Sequence, residues 1–105
     1  WTTFSDSRLK SRIEAIPYGL SDVLAVDAKV FDKESGFIND DDELVLEGNK
    51  RRMVGFLAQE VKARMPLLVK DLADDKSFYT LDYGRLTPVL WKAVQELETR
   101  LSALE

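Results

Sequence analysis

Residues 4 to 10 read FSDSRLK, and they put a hydroxyl, a carboxylate and an amine within six positions of Ser5. Two chemistries fit. Ser5, Asp6 and Ser7 are all good helix caps, so the stretch reads first as a capped turn with Lys10 on the surface. The second reading makes Ser5 a nucleophile and Lys10 its base. Within one helix the two would not share a face, because five residues turn the chain by about 500°. With Ser5 in extended chain just before a helix, Lys10 in the opening turns can fold back toward it. The free N–H groups of a first turn could then receive a developing oxyanion. The lysine would have to be neutral, which burial favours. Taken alone, the capped turn is the simpler reading.

Composition narrows the alternatives. The chain has 105 residues, the length of one domain, and it contains no cysteine and no histidine. That excludes disulfides, thiolate or imidazole metal sites and a Ser-His-Asp triad within the chain. Any catalysis falls to Ser, Thr, Tyr, Lys or a carboxylate. The net charge is -4, which argues against nucleic acid as a partner, and Lys50, Arg51 and Arg52 make too small a basic cluster. No apolar run approaches the ~20 residues of a membrane span, and no signal peptide is visible. The chain opens at Trp1 rather than Met, as a piece of a longer protein would. Glycines are scattered, so there is no phosphate loop. NDDDE, residues 39–43, lacks the spacing of a calcium loop and reads as a solvated tip, as do Asp71, Asp74 and Asp75. No cofactor and no metal are expected.

The elements that would carry these residues are α+β, mainly helical, with a small antiparallel sheet or hairpins. Leu9, Ile13 and Ile16 have the spacing of an amphipathic helix over 7–16, stopped by Pro17. A short helix is expected over 20–26 and a strand over AKVFDKE, residues 28–34. ESGFINDDDELVLEGNK suits a hairpin or a projecting loop, with an edge strand expected at Leu44–Leu46. RRMVGFL is β-prone and pairs with the earlier strand, and AQEVKARM is helical up to Pro66. FYTLDY is a further strand, and Phe56, Phe78, Tyr79 and Tyr83 are expected in the core. The last helix is capped at Thr87, has Pro88 at its first position and runs to Glu105. Leu90, Val94, Leu97, Leu101 and Leu104 are spaced 4, 3, 4, 3, a heptad seam of about two heptads. Val94 and Leu101 take the a positions and the leucines d. Glu98 and Arg100 flank them, and Trp91 widens the apolar face beyond what one small domain covers.

Three motifs in order, SDSRLKSRIEAI, GFLAQEVKARMP and LDYGRLTPVLWKAVQELETRL, resemble the C-terminal intramolecular chaperone domain of phage endosialidases, tail fibres and neck appendages. This is a self-cleaving serine peptidase family. The domain of myelin regulatory factor-like proteins is also similar. The resemblance spans about residues 5 to 104. It implies a homotrimer whose C-terminal helices, over 84–105, form a parallel three-stranded coiled coil. It implies an upstream fibrous or β-helical stem, brought into register by the domain and released by cleavage before a serine. Ser5 then matches the nucleophile and Lys10 the base, with Phe4–Ser5 as the scissile bond. Residues 1–4 become the remnant of the stem and 5–105 the chaperone domain. Asp6, Arg8, Gln59 and Glu60 match supporting positions, Glu60 as a partner for Arg8 or Lys10. The implied setting is the host cytoplasm during phage assembly, with the domain absent from the mature virion once cleaved. Two routes stay open, direct hydrolysis and an N-to-O acyl shift. The alternative is a trimerisation and folding module of the same family that is never cleaved. The segment 35–50 is shorter than the projecting arms of many members.

Overall fold

The computed structural model describes residues 2–105 and is α+β, with short antiparallel pairs and a C-terminal helix. Trp1, part of the expected stem remnant, lies outside the described residues. After an N-terminal 3-10 turn at Ser7–Leu9 come helix α1 (Leu20–Ala25), strand β1 (Lys29–Lys33), a small hairpin of β2 (Gly36–Ile38) and β3 (Leu44–Leu46), and β4 (Arg51–Gly55). Helix α2 (Ala58–Arg64), β5 (Val69–Lys70), β6 (Thr80–Leu81) and helix α3 (Leu86–Ser102) complete the described chain. Pairing is antiparallel throughout. β1 lies on β4 with Val30 opposite Val54 and Phe31 opposite Met53, β2 lies on β3, and β5 on β6. The expected small antiparallel sheet or hairpins take the form of three two-stranded ribbons.

The core is small. Val61 of α2 and Val89 of α3 are fully buried, and Val26, Met65, Leu68 and Val69 close around them. These apolar side chains come from short segments that each present one small apolar face, so none is stable alone. Helix α1 is locked by Asp22. Its carboxylate accepts the Gly19 N–H at 3.0 Å and meets Arg64 of α2 at 3.3 Å. A Cβ at Gly19 would overlap the flexible end of the Glu96 side chain, which would have to shift.

Several expectations are corrected. Residues 7–16 do not form a helix. The 3-10 turn ends at Leu9, Lys10 is extended, and Arg12 takes φ 51°. Leu9 and Ile13 are exposed, and only Ile16 packs on the core. A helix this short needs a surface for its apolar stripe, and these two residues have none within the chain. Helix α3 begins at Leu86 rather than after Thr87. It is entered from a 3-10 turn, Tyr83–Arg85, whose cap Asp82 accepts the Gly84 N–H at 3.0 Å. Pro88 is tolerated because first-turn N–H groups have no partner in the helix anyway. The helix stops at Ser102, which leaves Leu104 beyond it. The strand expected over 78–83 shrinks to Thr80–Leu81. Phe56 and Tyr79 pack on the core, but Phe78 and Tyr83 are half exposed.

The molecule is far from compact. Its radius of gyration is 17.7 Å, against about 13 Å for a globule of this length. Its surface is 8828 Å², roughly 2,800 Å² more than a compact monomer of its mass would show.

Candidate active site

The site is built on the N-terminal arm. Asp6 caps the 3-10 turn, its Oδ1 accepting the Arg8 N–H at 2.9 Å. The Arg8 guanidinium folds back onto the same carboxylate, Nη2 to Oδ2 at 2.7 Å and Nε to Oδ1 at 3.1 Å. This charge-assisted fork holds the Asp6 carboxyl below the usual aspartate range and raises Arg8. Backbone bonds from Leu9 N to Asp6 O and from Lys10 N to Ser7 O close the turn. The reversal carries Lys10 back to Ser5, whose Oγ lies 2.8 Å from the Lys10 Nζ. That is hydrogen-bond distance between a hydroxyl and an amine base. The N–H groups of Arg8, Leu9 and Lys10 are occupied. Those of Asp6 and Ser7 make no hydrogen bond among the described residues, so only these two of the turn are open to an oxyanion. Ser5, Asp6, Arg8 and Lys10 are all exposed, and Phe4 is 95% exposed.

Gln59 and Glu60 sit on the first turn of α2, away from that cluster. Glu60 contacts neither Arg8 nor Lys10. Its carboxylate pairs with Lys29 of β1 at 3.2 Å, while Arg8 is taken by Asp6. Among the described residues, no hydrogen bond or ion pair joins residues 5–10 to the rest of the chain. The structure therefore brings Ser5, Asp6, Arg8 and Lys10 together and leaves Gln59 and Glu60 apart from them.

The second and third motifs do meet. The Tyr83 hydroxyl accepts the Phe56 N–H at 3.1 Å, and the two rings stand 6.0 Å apart, tilted by 36°. Gly55 is buried beneath them, and a Cβ there would run into the Tyr83 hydroxyl and the Phe31 ring. Tyr83 thus fixes the entry to α2. Sequence reasoning missed this role by treating Tyr83 as plain core, although a Gly-Phe pair and a distant Tyr in matched motifs were the available signal. The acidic tip is also ordered. Asn39 Oδ1 accepts the Asp41 and Glu43 N–H groups at 2.9 Å, and Lys76 bonds the Asn39 carbonyl and the Asp42 carboxylate. Among the described residues no group of metal-ligating side chains lies together, and no helix is long and apolar enough to cross a membrane.

On α3 the residues expected as a seam are uncovered. Leu90, Val94, Leu97 and Leu101 are between 45% and 64% exposed. The helix docks on the body through Val89 and Ala93 instead, a face roughly a quarter-turn round.

A family model described as chaperone of endosialidase matches residues 5–70, which include the dyad segment and the whole of GFLAQEVKARMP. No curated protein and no solved structure matches. The match covers more than half of the 105 residues, and the chain belongs to the chaperone-of-endosialidase family.

Proposed function

We propose that this chain is a C-terminal intramolecular chaperone that assembles as a homotrimer and then releases itself at Phe4–Ser5. The reading rests first on the 2.8 Å contact between Ser5 Oγ and Lys10 Nζ, held by a turn that Asp6 and Arg8 brace. Lys10 takes the Ser5 hydroxyl proton as Oγ bonds to the Phe4 carbonyl carbon. The Phe4–Ser5 C–N bond breaks, and the departing nitrogen receives the proton as the new α-amine. Water then opens the Phe4 ester, giving a Phe4 carboxylate and restoring the Ser5 hydroxyl. A lysine serves as base only as the free amine, and exclusion of water favours that form.

The dyad is open to solvent in the single chain, so assembly would supply the exclusion. The exposed seam on α3, the extended shape and the surplus surface all support association through a parallel three-helix bundle. About two heptads with Val at a and Leu at d specify three strands weakly, so the globular part contributes. The benefit is kinetic. Long stem chains close large loops before contacts reward them, and prior trimerisation makes later pairing intramolecular. The partner is a fibrous or β-helical stem on the same polypeptide, and the setting is phage assembly in the host cytoplasm.

Intact mass after folding tests the chemistry. Loss of the Trp1–Phe4 peptide, abolished by Ser5→Ala and by Lys10→Ala, is the expected result. An unchanged mass in an assembled trimer would leave a folding module that is never cleaved.

A further inference from the structure

Every described residue from Thr2 to Ala15 is exposed, and three of them are large and apolar: Phe4, Leu9 and Ile13, between 72% and 95% exposed. The Asp6–Arg8 and Ser5–Lys10 contacts of this arm are made within it, but its large apolar groups have no cover. Where the arm leaves the body decides what can cover them. Ile16 sits in a shallow groove with Thr87, Pro88, Trp91 and Gln95 of α3. With Val94 and Leu101 at a, Trp91 falls at e and Pro88 and Gln95 at b. The arm therefore departs on the e side of the seam.

The other side of the seam carries a vacancy. A cavity of about 230 Å³ lies between the helices, lined by Val26, Ala28, Val61, Met65, Val89 and Leu90, among others. Its α3 residues are Leu86 at g, Val89 at c and Leu90 at d, so it lies against the g side of the helix. In a parallel bundle the e flank of one helix faces the g flank of its neighbour. One chain's arm thus starts opposite the next chain's cavity. Val61 of α2, the helix that holds Gln59 and Glu60, is part of the cavity wall.

We infer that the N-terminal arm is exchanged around the trimer: Leu9, in the turn that carries the dyad, seats in the apolar cavity of the adjacent copy. The inference rests on the trimer and dyad reading above. The exchange puts the Phe4–Ser5 bond beside the neighbour's α2 and withdraws Ser5 and Lys10 from water. Each cut site is then completed by a second copy of the chain. The surplus surface of roughly 2,800 Å² per chain is ample for this, since a standard interface takes about 800 Å² from each partner. The contact is heterologous and closes on itself in a ring.

A mixed trimer tests the exchange. Ala28 is exposed at the cavity rim, so Ala28→Trp fills the cavity with little demand on folding. Homotrimers of Ala28→Trp should lose the Trp1–Phe4 peptide at least about tenfold more slowly than the unaltered chain. Ser5→Ala homotrimers should not lose it at all. When the two are refolded together in equal amounts, about half of the Ala28→Trp chains should regain cleavage, because random mixing gives each an open neighbour half the time. Intact mass distinguishes the two chains. Docking of the arm within its own chain predicts no rescue, and that result would overturn the exchange, as would normal cleavage in Ala28→Trp homotrimers. A second measurement does not depend on cleavage. The chain has no cysteine, so Leu9→Cys chains mixed with Ala28→Cys chains carry the only thiols. Oxidation should yield a disulfide between the two kinds of chain. In the Leu9→Cys/Ala28→Cys double variant it should link separate chains, and a bond confined to one chain would refute the exchange.

Discussion

The N-terminal arm and the body that follows Ile16 are ordered by different interactions. In the arm, polar groups do the work: the Asp6–Arg8 fork, two backbone bonds and the Ser5–Lys10 contact, with no buried side chain. In the body, order comes from Val61 and Val89 and from the wedge of Tyr83 over Gly55. Local polar geometry can pre-form a nucleophile and its base without protecting them from water. A small apolar core can position helices without touching residues 4 and 5. In this fold the Ser5–Lys10 pair and the apolar core are separate parts, and on the proposed reading assembly is the step that would join them.

That contrast can be broken from either side. The largest effect is expected from Leu97→Glu with Leu101→Glu. Both side chains face solvent in the single chain, so circular dichroism should still report a folded body. Light scattering should report monomer, and cleavage should be absent. Next, Gly55→Ala forces a methyl against Tyr83 and Phe31, and chemical denaturation should show about 1–3 kcal/mol of lost stability. Tyr83→Phe removes one partner of the Phe56 N–H and should cost about 1 kcal/mol by the same measurement. The smallest stability effect belongs to the arm. Arg8→Ala should leave the unfolding transition in place, since the residue is fully exposed, yet it should slow cleavage by loosening the turn. It should also return the Asp6 carboxyl toward its ordinary range, which carboxyl NMR would follow. The sign is set by the depressed value. The fork is complete above the ordinary aspartate range and is lost as pH falls through the lowered one.

Much of the body was legible in the sequence because its signals are local. The β1 and β4 segments, the hairpin around NDDDE and the helix stopped by Pro66 follow from alternation, turn residues and proline. The arm was misread for a physical reason. Leu9, Ile13 and Ile16 have helical spacing, but spacing alone does not form a helix where no surface receives the stripe. Leu9 and Ile13 are left exposed, with no cover within the chain. The start of α3 was misplaced because Thr87 and Pro88 are strong local signals. Asp82, five residues before Thr87, starts the turn earlier. The partner of Glu60 was not legible at all, since Lys29 reaches it only through the pairing of β1 with β4. The family resemblance pointed to Ser5 and Lys10 where spacing alone left two readings.

The central claim is that cleavage at Phe4–Ser5 is performed by Ser5 and Lys10 only in the assembled trimer. The most direct measurement is the rate of loss of the Trp1–Phe4 peptide, followed by intact mass as protein is refolded over a wide range of concentration. The account predicts a rate that follows the trimer fraction, vanishes at dilutions where light scattering finds only monomer, and is absent in Ser5→Ala and Lys10→Ala trimers. A first-order, concentration-independent rate in monomer, or cleavage that survives Lys10→Ala, would contradict it.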